Sequence, residues 1–454
     1  MSSTATEEVR VKFGTDGIRG PIGHPPITPD FFNIIGQACY TWLTRKGMPA
    51  KVAIGWDTRN SGETLAEAFA AGFGIYTSDI TLLGVTPTPA IAFYVSQTQC
   101  SLGVSITASH NPYTDNGLKL FRHTGSKLSV EEEKEIEALC LHLQAIIDNA
   151  KPLCQHINGS ALYLNHFRNT LKADVLRGRK IVLDTANGAT TYTTLPLLQY
   201  LGAEVIPIGH QPNGSNINQN CGSEHSDLLQ KTVQAQKAWL GFAHDGDGDR
   251  IIVVDESGDR MDGDQVLGLL ALDMQQQGKL KNATVVVTEQ SNSGLTQSLQ
   301  RYGIRTITCP VGDRAVYYAM EACDSNLGGE NSGHIVLKDE ALTGDGLRVV
   351  LKLIDLAQTI ALKERKKAIH LLPKCESFLY VNEKWPLAQL EQLQALYHRF
   401  KKDSGRIHIR YSGTENKLRF LVEAPTQDLC EQWMEDLKSA ARVDFDRLKS
   451  RGTR

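Results

Sequence analysis

Three aspartates alternate with glycine in Asp245-Gly-Asp247-Gly-Asp249-Arg250. Carboxylates this close repel one another unless a positive charge sits among them, and glycine permits a turn that aims all three inward. Such oxygen donors suit a hard divalent cation, with Mg²⁺ favoured where a phosphate completes the shell. A calcium hand fits less well. Its twelfth position would be Glu256, but Ile251-Ile-Val-Val254 in between reads as a strand. A second loop, Thr107-Ala-Ser109-His110-Asn111-Pro112, follows a buried strand-like run at 102–107. Ser109 stands at the mouth of that strand. The GxSxG elbow of a hydrolase is absent, and sequence adjacency does not make His110 the base of a triad. A serine can instead carry a phosphoryl group, with about two negative charges and three acceptor oxygens. One of those oxygens would join Asp245, Asp247 and Asp249 around the cation, making Ser109 both nucleophile and metal ligand. His110 and Lys119 are candidates to carry a proton or neighbour the phosphate. The plainer reading of His110, a polar residue that holds the loop, stands beside that one.

Further loops have the chemistry of anion and hydroxyl recognition. Arg410-Tyr-Ser412-Gly413-Thr414-Glu415-Asn416, followed by Arg419, offers two hydroxyls, adjacent backbone N–H groups and two fork-shaped cations. That set makes a nest for a tetrahedral anion, where a plain hairpin would need none of it. The glycine-rich opening Phe13-Gly-Thr-Asp-Gly-Ile-Arg19-Gly20 is neither a Walker loop nor a dinucleotide fingerprint. Arg19 could reach a phosphoryl group near Ser109, or the segment is simply a rigid turn. In Gly328-Gly-Glu330-Asn-Ser332-Gly-His334, Glu330 and Ser332 could bond sugar hydroxyls and His334 could shuttle a proton. A surface turn is the alternative. Arg250, which closes the aspartate loop, joins Ser109, Arg19, His110, Lys119 and His334 as a catalytic candidate.

These loops need elements to carry them. Strand-like and helix-like segments alternate through three successive blocks, which predicts α/β units. The last stretch reads as strand, helix, two strands around Ser-Gly-Thr, and a final helix, an α+β pattern. We expect domains at 1–154 with the serine loop, 155–256 with the aspartate loop, 257–368 with the sugar-hydroxyl loop and 369–454 with the phosphate nest. The 454 residues include 48 basic and 51 acidic side chains, a net charge of −3. Without a basic excess, neither nucleic acid nor an anionic membrane is an expected partner. The nine cysteines are scattered with no CxxC, as in a reducing compartment. No apolar stretch resembles a signal or a membrane span, so the expected location is cytoplasmic.

Together the loops call for a substrate with two separate polar ends, and a phosphorylated sugar fits. The sequence resembles the α-D-phosphohexomutase family over nearly its whole length. The likeness rests on TDGIRG, TASHNP around Ser109, DGDGDR at 245–250, GENSGH at 329–334 and RYSGTEN at 410–416, in the family's order. It implies four domains around a central cleft, three related α/β units with mixed sheets and a C-terminal α+β domain. It implies a phosphorylated Ser109, one Mg²⁺ on Asp245, Asp247, Asp249 and the phosphoserine, and a sugar 1,6-bisphosphate as activator. Glu330 and Ser332 would contact the sugar. Ser412, Gly413 and Thr414, helped by Arg410 and Arg419, would grip the non-reacting phosphate. Arg19, His110, Lys119, Arg250 and His334 would surround proton transfer, with no single base assigned. Within the family FGTDGIRG, the 57–62 segment DTRNSG and DNGLK look most like the bacterial glucosamine-phosphate branch. That branch interconverts the 6- and 1-phosphates and supplies UDP-N-acetylglucosamine and cell-wall precursors. Asn331, Thr107, Tyr411 and Asn416 depart from its usual residues, and mannose or glucose phosphate stands as the alternative substrate. A monomer or homodimer is expected.

Overall fold

A computed structural model describes residues 11–452, apart from 76, 78, 147–151, 403–405, 413 and 414. Its chain divides into two compact units. One runs to Gln290 and includes Tyr302–Lys367; the other comprises Ser291–Arg301 and the chain from Ala368 onward.

Among its described residues the larger unit holds three sheets. The first has the strand order Ile18–Pro21, Asp115–Arg122, Leu102–Ile106, Val52–Trp56, Ile80–Val85, Cys154–His156. Its central strands are parallel, and Asp115–Arg122 runs antiparallel to both neighbours. The segment 102–122 is therefore a hairpin with the serine loop at its bend. Leu102–Ile106 is buried throughout, as a strand covered on both faces should be. The helix Pro29–Arg45 starts where the Thr28 hydroxyl accepts from Phe31 N–H and proline fills the first turn. It lies close against Gly62–Gly74, because Gly36 and Gly72 lack a Cβ that would collide with the facing carbonyls of Phe69 and Asn33.

The second sheet has the order Arg260–Met261, Ile251–Val254, Leu240–His244, Lys180–Asp184, Glu204–Ile208. Leu240–His244 pairs antiparallel with Ile251–Val254, so the aspartate loop is a hairpin turn with both strands wholly buried. The third sheet, Arg305–Cys309, Thr284–Thr288, Leu327–Gly329, Ile335–Leu337, ends in another hairpin. Residues 330–334 form its turn. The two hairpins touch through Ile251 N–H, which donates to Gly333 C=O at 3.1 Å.

Helical spacing in the sequence predicts a charged amphipathic helix from Val130 to about Asn149 and one long helix over 346–365, and both need correction. The segment 346–365 is two helices, Gly346–Thr359 and Leu362–Arg365, because Ile360 is extended and Glu256 caps the second through Leu362 and Lys363 N–H at 2.9 and 3.1 Å. The helix from Val130 ends at Cys140 rather than near Asn149. Asn33 and Gln37 then hold the following stretch through the Ile146 N–H and the Gln144 C=O at 3.1 and 2.9 Å. Residues 147–149 lie outside the described residues.

In the smaller unit, Lys374–Tyr380, Lys417–Glu423 and Arg406–Tyr411 form an antiparallel sheet with Lys417–Glu423 in the middle. The helices Glu391–Lys402 and Gln427–Gly452 supply its core, where Phe400 and Trp433 stack with centroids 4.6 Å apart. The segment Ser291–Arg301 joins this unit through Ser293 N–H to Glu423 and Asn292 to Leu372 C=O, both 2.9 Å. Among the described residues no helix is long and apolar enough to cross a membrane.

Candidate active site

The strand Leu102–Ile106 delivers Ser109 to the centre of the larger unit, fully buried and with a left-handed φ of 52°. Its hydroxyl donates to Asp245 Oδ2 at 2.6 Å and lies 3.3 Å from His110 Nδ1. The other oxygen of Asp245 accepts from Gly248 and Arg250 N–H, each at 3.1 Å. Gly248 has a φ of 77°, so the turn needs a glycine there. The DGDGDR segment thus folds back onto its first carboxylate.

The other two carboxylates surround an ammonium. Lys119 Nζ lies 2.8 Å from Asp247 Oδ2, 2.7 Å from Asp249 Oδ2 and 3.2 Å from Asp16. All four side chains are largely or wholly buried. Burial disfavours the Lys119 charge, but Asp16, Asp247 and Asp249 outweigh it and hold its pKa well above the ordinary value. For Asp249 burial again opposes ionisation, and Lys119 with His334 overcomes it, so its pKa falls well below the usual range. No ion pair reaches Asp245 among the described residues. Burial first, then Asp247 and Asp249, push its pKa well up. A cluster that cannot comfortably ionise its third carboxylate has room for more positive charge.

Asp247 Oδ1 and Asp249 Oδ1 are buried without a hydrogen-bond partner. One oxygen from each of Asp245, Asp247 and Asp249 lies within 4.8 Å of the others. Converging carboxylates, two of them with an orphaned oxygen, fit a hard cation, and the three residues can hold a metal ion.

Arg19, His110, Arg250, Glu330 and His334 line a cleft of about 380 Å³ beside this cluster. Arg19 pairs with Asp16, which Lys127 also contacts, and Lys127 continues to Asp313. His110 is held neutral, at a pKa of about 3, by burial and then by the charges of Arg250 and Arg19. His334 Nε2 accepts from Gly344 N–H at 3.2 Å, which leaves Nδ1 facing Asp249 Oδ1 at 3.7 Å. Burial lowers the His334 pKa, yet Asp249 and Asp313 raise it further than burial lowers it. Glu330 accepts from Gly312 N–H at 2.9 Å, and the Ser332 hydroxyl lies 3.5 Å from its second oxygen.

The phosphate candidates of the smaller unit form a separate group. Arg410 and Arg419 are register partners on neighbouring strands and both are exposed. Arg419 pairs with Glu415 at 3.2 Å, and Ser412 is buried at the strand end, its carbonyl accepting from Lys384 Nζ at 2.8 Å. Gly413 and Thr414 lie outside the described residues.

Several participants escaped sequence reading. Thr88 Oγ1 donates to Asp247 Oδ2 at 2.7 Å, and its N–H donates to the Asp247 carbonyl at 2.9 Å. Nothing local marks a threonine 159 positions away as a partner of the loop. Asp16, Lys127 and Asp313 form the charge chain beside Arg19. Asp16 was visible within TDGIRG as the lone acid of a glycine-rich turn, but its partners were not. Asn218 and Arg59 reach the carbonyl of Ser109 at 2.8 and 3.1 Å.

Family profiles of the phosphoglucomutase/phosphomannomutase alpha/beta/alpha domains I, II and III match residues 10–145, 161–258 and 262–374. The profile of the C-terminal domain matches 379–440. The chain is 39% identical over 439 residues to the phosphoglucosamine mutase of a Nitratiruptor species, covering 94% of this chain and 97% of the relative. It is 41% identical over 449 residues to that of Zymomonas mobilis, covering 95% and 99%. Among solved structures, a phosphoglucomutase/phosphomannomutase family protein from Burkholderia thailandensis superposes with a TM-score of 0.78 at 22% identity, covering 95% and 97%. An N-acetylphosphoglucosamine mutase from Aspergillus fumigatus, solved with GlcNAc-6P and magnesium, gives 0.63 at 19% identity, covering 95% and 96%. These two likenesses concern the fold. Domain profiles along most of the chain and near-full-length relatives lead to one conclusion: the chain belongs to the phosphoglucomutase/phosphomannomutase family of phosphohexomutases.

Proposed function

We propose that this enzyme interconverts glucosamine 6-phosphate and glucosamine 1-phosphate through a phosphorylated Ser109 and a sugar 1,6-bisphosphate. The observation that carries the chemistry is the 2.6 Å contact between Ser109 Oγ and Asp245, beside two carboxylates with orphaned oxygens. The sugar is supported by the names of the relatives at 39% and 41% identity.

Asp245, Asp247 and Asp249, with the Ser109 phosphoryl group, would hold Mg²⁺. When bound, that ion withdraws charge from the phosphoryl oxygens during transfer. The Ser109 Oγ–P bond breaks as a sugar hydroxyl oxygen bonds to phosphorus; the hydroxyl proton passes to a base in the cleft, and the departing Ser109 Oγ takes up a proton. The bisphosphate turns, and Ser109 Oγ gives up its proton and bonds to the other phosphorus as that phosphorus–sugar oxygen bond breaks and the freed sugar oxygen is protonated. Arg19 and Arg250 offset phosphoryl charge. Lys119 stays protonated and acts as a donor in this account. His110, neutral and 3.3 Å from Ser109 Oγ, is a polar neighbour of the nucleophile, and His334 is oriented by Gly344 and Asp249. Glu330 and Ser332 bind sugar hydroxyls. Arg410, Ser412, Gly413, Thr414 and Arg419 bind the phosphate that is not reacting. A trace of sugar bisphosphate primes the enzyme.

Competing the 6-phosphates of glucosamine, mannose and glucose tests the sugar. Glucosamine should lead in kcat/KM by about 10-fold or more, as a site built to bond one polar substituent discriminates. Equal or greater efficiency with mannose would reassign the substrate.

A further inference from the structure

Asp57 and Arg59 lie just past the strand Val52–Trp56, and both side chains have 0% exposure. Arg59 Nε donates to Asp57 Oδ2 at 2.9 Å. Its remaining donors all go to main-chain carbonyls of the serine loop. Nη2 reaches Ser109 and Asn111 at 3.1 and 2.8 Å, and Nη1 reaches Asp115 at 2.8 Å and also Pro112. A guanidinium has five N–H groups, and all five are used. Arg59 therefore has no donor left for a phosphate, and its charge is matched by Asp57.

The same ion pair also holds the other side of Ser109. Ser109 N–H donates to Thr107 Oγ1 at 2.9 Å, and Thr107 Oγ1 donates to Asp57 Oδ2 at 2.7 Å. Asn218, from the second sheet's part of the unit, adds donors to the Ser109 and Asn111 carbonyls at 2.8 and 2.9 Å. What these bonds fix is a serine with φ of 52°, a conformation that a residue with a Cβ adopts only when its surroundings enforce it. Relaxation to negative φ would swing Oγ away from Asp245.

We propose that Arg59, with Asp57 and Thr107, is a positioning residue that locks Ser109 in the conformation aiming its Oγ at the Asp245, Asp247 and Asp249 cluster. The inference rests on the phosphoserine reading above. Lysine cannot replace Arg59, since a point ammonium lacks the fork that spans four carbonyls.

The test compares folded Thr107→Val, Thr107→Ser and Arg59→Lys proteins with wild type. Steady-state kinetics are measured together with intact-mass phosphorylation by glucose 1,6-bisphosphate. Thr107→Val should lower kcat and the phosphorylation rate roughly 10- to 100-fold, the scale of a misplaced reacting group. KM should stay within about twofold, because substrate contacts are untouched. Thr107→Ser restores the hydroxyl and should return kcat to within about twofold of wild type. Arg59→Lys should lose at least as much kcat as Thr107→Val; if it fails to fold, the Thr107 pair still decides. A folded Thr107→Val with wild-type kcat, or a Thr107→Ser no better than Thr107→Val, overturns the inference while an active, phosphorylated wild type leaves the mutase reading standing. A wild type that accepts no phosphoryl group overturns both.

Discussion

The loop at Ser109 and the turn at Ser412 offer the same functional groups to phosphate and are built in opposite ways. Ser109 is wholly buried, left-handed, and flanked by the buried Asp57–Arg59 pair and by the ammonium of Lys119, whose partner Asp249 lies 130 residues away in the chain. Ser412 caps a strand of a hairpin whose arginines are exposed, with Arg419 47% accessible and paired to Glu415 four residues away. Buried charges hold geometry because breaking any pair strands its partner. Exposed pairs exchange readily with water or a ligand. In this account the first loop needs fixed geometry, since bonds to phosphorus form and break there. The second must grip and release a phosphate in either orientation of the bisphosphate. The contrast teaches that a shared motif chemistry, hydroxyl plus cation, does not fix the role; the number and burial of its supports do.

Removing each hydroxyl sharpens the contrast most. Ser109→Ala should reduce turnover by at least about 10⁴-fold, as loss of a nucleophile does. Ser412→Ala should mainly raise KM, by about threefold. Comparable losses in kcat for the two would erase the distinction. Next in size, Asp247→Asn should lower kcat about 10²- to 10³-fold in a protein that still folds. It should also abolish the thermal stabilisation by Mg²⁺, which for wild type should approach about 2.7 kcal/mol at roughly 100 times Kd. Differential scanning fluorimetry with and without Mg²⁺ reads this directly, and undiminished stabilisation removes Asp247 from the ligand set. Arg419→Ala should raise KM about 10-fold with kcat within about threefold, if the phosphate is held equally in ground and transition states. A pure kcat loss would assign that arginine to the transition state. Smallest of all, Lys384→Ala removes the donor to the Ser412 carbonyl and should change KM by about twofold, consistent with one half-exposed hydrogen bond.

The loops that present Ser109, Asp245–Asp249 and Glu330–His334 could be read from the sequence because each is a polar segment abutting an apolar, strand-like run, though their closure into hairpins could not. Their supports could not. Thr88 reaches Asp247, and Arg59 reaches the Ser109 loop, through contacts set by sheet order, which local pattern does not encode. Lys119 was legible as a cation on a strand, but its placement between Asp16, Asp247 and Asp249 required two separate loops to meet at that strand. The break in the 346–365 helical pattern depends on Glu256, over a hundred residues upstream, supplying the cap. Periodicity predicts elements; it does not report which distant side chain ends them.

The central claim is that Ser109 holds a phosphoryl group during turnover. Intact-mass spectrometry of the metal-replete protein after incubation with glucose 1,6-bisphosphate, followed by peptide mapping, tests it most directly. The account predicts one added phosphoryl group, located on Ser109, absent from Ser109→Ala, and lost on exposure to excess sugar monophosphate. A fully active protein that carries no such group, or carries it on another residue, would contradict it.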